Sequence, residues 1–182
     1  PETVLNGTFL NTLNYDNTAS STATDLDTGF TEHLGIDTAK QEVTFSSNLT
    51  LTGDTATDVQ ATQSLTAQAS AGVLDFVVGP LENIIDYAYG GWFIDLTTVL
   101  SPEQLETYKP HLRYIDMTVL EQKADAFDND IKPADIPIPD CTNPDAMEEP
   151  VPIFIDITNC EKVTDIYGYE VTNLAFGICL NA

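Results

Sequence analysis

The sequence predicts an α/β fold in which helices cover both faces of a mostly parallel, open sheet, giving three layers. Strand-like and helix-like segments alternate through the first half of the chain, as in folds built from β-α-β units. The segment Val73–Val78 is almost wholly apolar, which is typical of a strand buried on both faces. A length of 182 residues, 42% of them hydrophobic, is enough to build a core of this kind.

The first half of the chain predicts strands and helices in strict alternation. The three predicted strands cover Val4–Leu13, Gln41–Thr52 and Val73–Val78. The two helices between them cover Asp25–Leu34 and Asp58–Ser70. Apolar residues alternate with Thr and Asn in the first two strands. The helices have apolar residues three or four positions apart and end at Gly35 and Gly72. An irregularity is expected in the second strand at Ser46–Asn48.

The spacing of apolar residues also predicts which face of each helix is buried. The expected buried faces consist of Leu26, Phe30 and Leu34 in the first helix and Val59, Leu65 and Ala69 in the second. The third helix follows Gly79-Pro80, with Pro80 expected at its first position, and ends at Gly90-Gly91.

The second half of the chain is less regular. A helix is predicted to start at Ser101-Pro102 and to run to Tyr108. It is followed by a strand over Val151–Thr158, a short helix over Cys160–Tyr167 and a last strand over Val171–Leu180. Ser101 and Gln104 have the spacing of a capping box. Residues 117–150 are acidic and contain Pro, so we expect an irregular excursion there.

Charge restricts the possible partners. Six Lys and Arg against 29 Asp and Glu give a formal net charge of −23. Such a chain has no basic face for the phosphates of nucleic acid or for an anionic membrane surface. We therefore expect no nucleic-acid partner, and contact with a membrane only through a segment upstream of Pro1.

No sequence motif points to a cofactor or a catalytic group, and none is predicted. Glycine-rich dinucleotide and phosphate-binding motifs and a Gly-x-Ser-x-Gly nucleophile motif are lacking. Five acids can together wrap a hard cation, but they lack the EF-hand register; they are Asp125, Asp128, Asp130, Asp135 and Asp140. The prediction is a solvated acidic loop with no metal ion.

Two other groups of residues allow a structural or a functional interpretation. Four aromatic residues lie close to Gly90-Gly91 in the sequence: Tyr87, Tyr89, Trp92 and Phe93. Such a group can stack on a sugar ring, but we expect these residues to pack in and beside the core. Cys179 lies in an apolar run and predicts a buried thiol. Cys141 and Cys160 are expected as free thiols, with a disulfide between them as the alternative.

The block from Gly72 to Leu100 is similar to the first lobe of bacterial extracellular solute-binding proteins, which have the type 2 periplasmic-binding-protein fold. The residues that carry the similarity are Asp75 in an apolar strand, Gly90-Gly91 at a helix end, and Asp95-Leu96-Thr97. The last strand resembles the one by which such proteins return to their first lobe. The chain also resembles uncharacterised membrane-anchored extracellular domains of Gram-positive anaerobes.

The resemblance implies a single lobe over residues 1–182, with the excursion at 117–150 in place of a second lobe. It implies a non-enzymatic, extracellular domain anchored to the cell surface, for ligand sensing or for interaction with a cell-surface protein. A substrate-binding component of a transporter is the alternative, and a carboxylate-based hydrolase a weaker one. In open α/β sheets a small ligand binds at the carboxyl ends of the strands. The candidate ligand-binding residues are therefore those that follow the first and third strands: Asn11, Asn14, Gly79, Pro80 and Asn83.

Overall fold

Six strands form one mixed sheet in the computed structural model, which describes residues 1–13 and 23–180. They are β1 (Glu2–Leu10), β2 (Gln41–Leu49), β3 (Phe76–Pro80), β4 (Leu112–Asp116), β5 (Pro150–Asp156) and β6 (Leu174–Ile178). Their order across the sheet is β2-β1-β3-β6-β5-β4. β1 runs parallel to β2 and to β3, whereas β6 is antiparallel to β3 and β5, and β4 is antiparallel to β5.

The expectation of a mostly parallel sheet is therefore wrong, although the α/β class is confirmed. Burial of β3 on both faces correctly indicated helices on both sides, but burial does not fix the direction of the neighbouring strand. Here β6 lies beside β3 and runs in the opposite direction. β4 was not predicted, because its five residues include Arg113 and Asp116 and lack a clear apolar alternation.

Helices cover both faces of the sheet, as predicted. They are α1 (Ala23–Leu34), α2 (Val59–Ser70), α3 (Leu81–Tyr89), α4 (Pro102–Tyr108), α5 (Met117–Asp125) and α6 (Glu161–Tyr167). Side chains from α2 and α3 form one apolar core with one face of the sheet, and α5 packs against that core. Leu26 of α1 and Val163 of α6 lie in or against a second core on the other face.

Residues of β3 alternate between these two cores. Val77 belongs to the core under α2 and α3, whereas Phe76 and Val78 belong to the core under α1 and α6. Leu74, Phe76 and Val78 are 1%, 6% and 1% exposed, which confirms their predicted burial in the centre of the sheet. The bounds of the strand differ from the prediction, because the strand begins at Phe76 and Val73 is half exposed.

Several local predictions are confirmed. The second strand has a register irregularity between Ser46 and Leu49, where β2 carries one more residue than the facing part of β1. Gly35 follows α1 with a positive φ of 63°. Ser101 and Gln104 form the expected capping box, and Pro102 starts α4.

Two predicted helix faces need correction. Phe30, Leu34 and Val59 are 37%, 49% and 47% exposed, although all three were expected to be buried. Leu34 is the last residue of α1, which packs over the edge strand β2. In α2 the buried residues are Ala61 and Leu65, so the apolar face lies to one side of Val59.

Residues 117–150 are more ordered than expected. The segment begins with α5, whose Met117, Val119 and Leu120 pack against the core, and continues through short 3-10 turns. It then enters β5, which pairs with β4, so the excursion starts and ends on adjacent strands. Most of its acids are exposed, as predicted for a solvated acidic segment.

The cysteines are all free in the structure. Cys179 is 5% exposed, which confirms the predicted buried thiol, and burial raises its pKa to about 12. Cys141 is half-buried and Cys160 is exposed. Within residues 1–13 and 23–180, no helix has the length and apolar character needed to cross a membrane.

Candidate functional site

Four of the five candidate residues lie at the side of the sheet where β1, β2 and β3 have their carboxyl ends; we call this side the edge. Asn11 directly follows β1, Gly79 and Pro80 are the last residues of β3, and Asn83 lies in the first turn of α3. The fifth, Asn14, lies outside the described residues. The prediction that the carboxyl ends of the first and third strands meet is therefore confirmed, because both strands are parallel neighbours.

Asn11 and Asn83 contact each other across this edge. The Asn11 side-chain amide donates to Asn83 Oδ1 at 3.1 Å and to the Leu51 carbonyl at 2.8 Å. The Leu51 N–H donates to Asn11 Oδ1 at 2.8 Å, and Asn83 Nδ2 donates to the Leu51 carbonyl at 3.2 Å. Asn11 adopts a φ of 59°, a conformation that Asn tolerates better than most residues.

These hydrogen bonds use most of the polar groups that a ligand would need. Both backbone groups of Leu51 and both amide hydrogens of Asn11 are satisfied. Leu51 is 5% exposed, so the two asparagines hold a buried turn between β2 and α2. Their role at this edge is to fix the chain after β2 rather than to present free amides to a small molecule.

Asp58 holds the same turn from the other side. Its carboxylate accepts hydrogen bonds from the Thr52 N–H and hydroxyl, at 2.8 Å each, and from the Gly53 N–H at 2.9 Å. These donors lower the pKa of Asp58, with the Thr52 N–H contributing most. The turn is thus fixed by an ionised carboxylate as well as by the asparagines.

Gly79 and Pro80 lie within β3, not in a loop after it, which corrects the prediction. They pair with Ala175 and Leu174 of β6. A side chain at Gly79 would approach Leu10 and Ile84 to 3.2 Å, so glycine allows α3 to pack closely on the sheet. Pro80 precedes α3 as its N-cap and is not its first helical residue.

The start of α3 is not an open anion site. The N–H of Leu81, the first helical residue, donates to the Asn173 carbonyl at 2.9 Å. Glu82 follows at once and places a negative charge in the first turn. An anion would meet a bonded amide and a carboxylate there, so the anion-binding interpretation of this helix start does not fit.

A groove of about 640 Å³ lies at this edge of the sheet. Three segments form it: residues 80–85 at the end of β3 and the start of α3, residues 138–141, and residues 170–173 before β6. Its apolar surface consists of Pro80, Leu81, Ile85, Ile138, Pro139 and Val171. Three exposed carboxylates, those of Glu82, Asp140 and Glu170, line it as well, and its lining within the described chain contains no Lys or Arg. We call this feature the acidic groove.

A second, smaller groove of about 420 Å³ lies on the other side of the first turn of α3. Asn83, Asp86 and Tyr87 line it from α3, and Asp58 and Thr62 line it from the opposite wall. The Tyr87 ring lies 4.6 Å from the ring of Trp92, whereas Tyr89 and Phe93 of the same aromatic group are buried. The expected packing of these aromatics in and beside the core is confirmed for the buried pair.

The acidic groove contains one thiol, at Cys141, that is poorly suited to nucleophilic chemistry. Burial raises the pKa of Cys141, and the negative charge of the adjacent Asp140 raises it further. The Thr142 N–H and hydroxyl lower the pKa of Asp140, so its carboxylate remains charged. The result at neutral pH is a protonated thiol beside an ionised carboxylate.

The described residues show no grouping of three or more His, Cys, Asp or Glu side chains that could hold a metal ion. Of the candidate cation ligands, Asp125, Asp128 and Asp130 are exposed near the end of α5, and Asp135 and Asp140 are exposed farther along the chain. Comparison of the chain with protein-family models, with curated proteins and with solved structures gave no match.

Two of the three segments that form the acidic groove, residues 138–141 and 170–173, were not predicted to lie at the site. Ile138 and Asp140 are far along the chain from Leu81, and Glu170 and Val171 are farther still. The alternation of Ile and Pro in residues 136–139 was a usable signal, because it indicates an extended segment with exposed apolar side chains. Nothing local to that segment indicates that it faces the start of α3.

Proposed function

We propose that this chain is a non-enzymatic, extracellular binding domain with a single-lobe architecture like that of periplasmic binding proteins, and that it acts through protein interaction. The observation that carries the proposal is the structure at the carboxyl ends of the strands, where a small ligand was expected to bind. The asparagines there are hydrogen-bonded to Leu51, and the adjacent acidic groove is open and partly apolar. Small-molecule sites normally enclose most of the ligand surface, and an open groove does not.

The arrangement of strands supports the architectural part of this proposal. β1, β2 and β3 form a parallel unit with connecting helices, and the last strand of the chain inserts beside β3. An insertion of this kind agrees with the resemblance of Val171–Leu180 to the strand that returns to the first lobe. The 117–150 segment folds against α3 and the core, so it is part of the same lobe. A groove of about 460 Å³ lies between it and α3, and its residues 138–141 form one side of the acidic groove.

Composition supports an exposed, extracellular location. The chain has few Lys and Arg and many Thr, Asn and Asp, a composition that resembles bacterial surface domains. In the proposed arrangement, a membrane segment upstream of Pro1 tethers the domain to the cell. Digestion of intact cells of the source organism with a protease, followed by immunoblotting, tests this: a surface domain is degraded, and a protected one contradicts the location.

A calorimetric panel tests whether the domain binds small molecules. Sugars, amino acids and oligopeptides should show no binding tighter than about 0.1 mM, which corresponds to about −5.5 kcal/mol. The physical reason is that the described residues form no second lobe to enclose a ligand at the carboxyl ends of the strands. A micromolar ligand whose affinity falls in Asn83→Ala would instead support the substrate-binding component of a transporter.

A further inference from the structure

The acidic groove combines exposed apolar surface with charges of one sign. Ile138 is 39% exposed, and Leu81, Ile85 and Val171 are partly exposed beside it. Glu82, Asp140 and Glu170 contribute three carboxylates with no cationic side chain in the described lining. Apolar surface rimmed by polar groups is typical of an interaction site.

The negative charges of the acidic groove favour a positively charged ligand. A ligand with carboxylates or phosphates would be repelled by the three acids and by the net charge of −23 on the whole chain. A cationic occupant is attracted, and its approach is accelerated by the same field. Arg113 lies outside the groove lining and is paired with Asp156. Its charge helps to lower the pKa of Asp140, which leaves the carboxylates of Glu82 and Glu170 as the main attraction for a cationic occupant.

The shape of the groove favours a chain segment over a small cation. A volume of about 640 Å³ with an open top admits several side chains but leaves a small molecule largely in water. The apolar surface gains less from a simple polyamine, whose short methylene segments lie between charged amines, than from a peptide, whose Leu, Ile or Val side chains it can bury.

Both walls of the groove are held in place before binding. The Tyr114 N–H donates to the Cys141 carbonyl at 2.8 Å, which ties the 138–141 wall to β4. The Leu81 N–H bond to Asn173 ties the 170–173 wall to α3. A preformed groove loses little conformational entropy when a segment binds, so even a short peptide can gain affinity there.

We propose that the acidic groove binds an extended segment of a partner protein in which apolar side chains alternate with Lys or Arg. The inference rests on the proposed binding function and names the chemistry of the partner. The apolar side chains cover Leu81, Ile85, Ile138 and Val171, and the cationic groups meet the carboxylates of Glu82, Asp140 and Glu170.

A fluorescent peptide tests the inference by anisotropy. The probe is a blocked heptapeptide with alternating Lys and Leu, compared with the same peptide carrying Glu in place of Lys, and with spermine as an unlabelled competitor. The test variant combines Glu82→Gln with Glu170→Gln; Asp140 is kept because its carboxylate also accepts hydrogen bonds from Thr142. The control variant combines Glu103→Gln with Glu121→Gln, two exposed acids outside the groove that change the net charge equally.

The expected result is binding of the Lys-Leu peptide and not of the Glu-Leu peptide, with spermine competing much more weakly than the unlabelled Lys-Leu peptide. At low salt this binding should be weakened about tenfold or more in the groove variant and less than about twofold in the control variant. A third variant, Ile138→Ser, should weaken the peptide but leave the affinity of spermine unchanged. Because all five substituted side chains are exposed or at the groove surface, thermal melts should confirm that the variants fold.

Three results would overturn the inference: equal losses in the groove and control variants, competition by spermine as strong as that of the unlabelled peptide, or no binding of the peptide. None of these affects the calorimetric panel, so the groove proposal can fail while the domain remains a protein-interaction module. Conversely, a micromolar sugar or amino acid would overturn the proposed function whatever the peptide does.

Discussion

Phe76 lies at the centre of the aromatic core under α1 and α6. Its ring is 5.7 Å from Phe9 and 5.3 Å from both Phe45 and Phe176. Phe76→Ala should lower the free energy of unfolding by about 3–5 kcal/mol, because the neighbouring rings cannot collapse into the space. Urea denaturation measures the effect. Phe30→Ala is the matched control, since Phe30 is 37% exposed and should cost clearly less; equal losses would contradict the placement of Phe76.

Asp27, on the core side of α1, makes stability depend on pH. Burial raises its pKa from 3.8 to about 6, and its buried Oδ1 has no hydrogen-bond donor among the described residues. The raised pKa means that the protonated carboxyl is the form favoured by folding. This contribution is complete below about pH 4 and is lost as the pH rises through about 6.

Asp27→Asn should therefore stabilise the protein at pH 7.5 by about 1–2 kcal/mol, less than the full pKa shift implies because the carboxyl is partly solvated. Below about pH 4 the variant and the parent should be equally stable, since the parent carboxyl is then protonated in both states. Denaturation curves at several pH values measure this difference. Glu32→Gln, an exposed acid on the same helix, should show no such dependence; a gain that is the same at every pH would refute the role of the charge.

At the scale of elements, Asp-x-Thr turns recur in the second half of the chain: at the ends of β4 and β5, at the start of the 3-10 turn over Leu96–Thr98, and in the loop before β5. Four of them share one geometry, in which the aspartate accepts from the N–H and the hydroxyl of the threonine two residues later; the aspartates are Asp95, Asp116, Asp140 and Asp156. Asp116 does more than the others. It caps α5 and also accepts from the Glu148 N–H at 2.8 Å and the Glu149 N–H at 3.2 Å, which ties α5 to the entry of β5.

Asp116→Ala should destabilise the protein by at least about 2 kcal/mol, because it leaves several backbone donors without an acceptor. Burial raises the pKa of Asp116, but the combined hydrogen bonds outweigh burial and lower it below its usual value. Its stabilising contribution is thus present above the unfolded pKa and is lost as the pH falls through the lower folded pKa. The stability lost in Asp116→Ala should accordingly shrink in acid, as measured by denaturation at pH 7 and below pH 3.

Asp95→Ala is the matched control for the capping effect, since the Asp95 carboxylate accepts only from Thr97 among the described residues, in the same type of turn. Its loss should be smaller than that of Asp116→Ala by about the strength of the two amide bonds from Glu148 and Glu149. Equal losses would show that capping alone, without the link to β5, accounts for the effect of Asp116.

At the scale of the whole molecule, like charges dominate. The described residues form three ion pairs, Lys40–Asp37, Lys109–Glu106 and Arg113–Asp156, against 29 acids in the chain. Salt screens the repulsion between the remaining carboxylates, so the melting temperature should be higher in about 0.5 M NaCl than in about 10 mM NaCl. Differential scanning calorimetry measures the shift, and a melting temperature that does not rise with salt would contradict it.

Calcium is the control for a specific cation site. Since Asp125, Asp128 and Asp130 are exposed and belong to no metal-holding group among the described residues, calcium should raise the melting temperature no more than NaCl of equal ionic strength. A larger rise that disappears in Asp128→Asn would show that these acids bind the ion.

The sequence alone determined the features that depend on neighbouring residues. Apolar periodicity predicted the α/β class and the burial of Leu74, Phe76 and Val78, and a four-residue pattern predicted the capping box at Ser101. The proximity of Asn11 and Asn83 was also predictable, because the carboxyl ends of parallel strands meet at one edge of a sheet.

Only the tertiary structure decided what depends on distant segments. The direction of β6 beside β3, the pairing of β4 with β5 and the use of Asn11 and Asn83 to hold Leu51 leave no local pattern in the chain. The acidic groove likewise joins three segments that are far apart in sequence. Burial patterns record whether a residue meets apolar neighbours, but they do not record which segment supplies those neighbours or in which direction it runs.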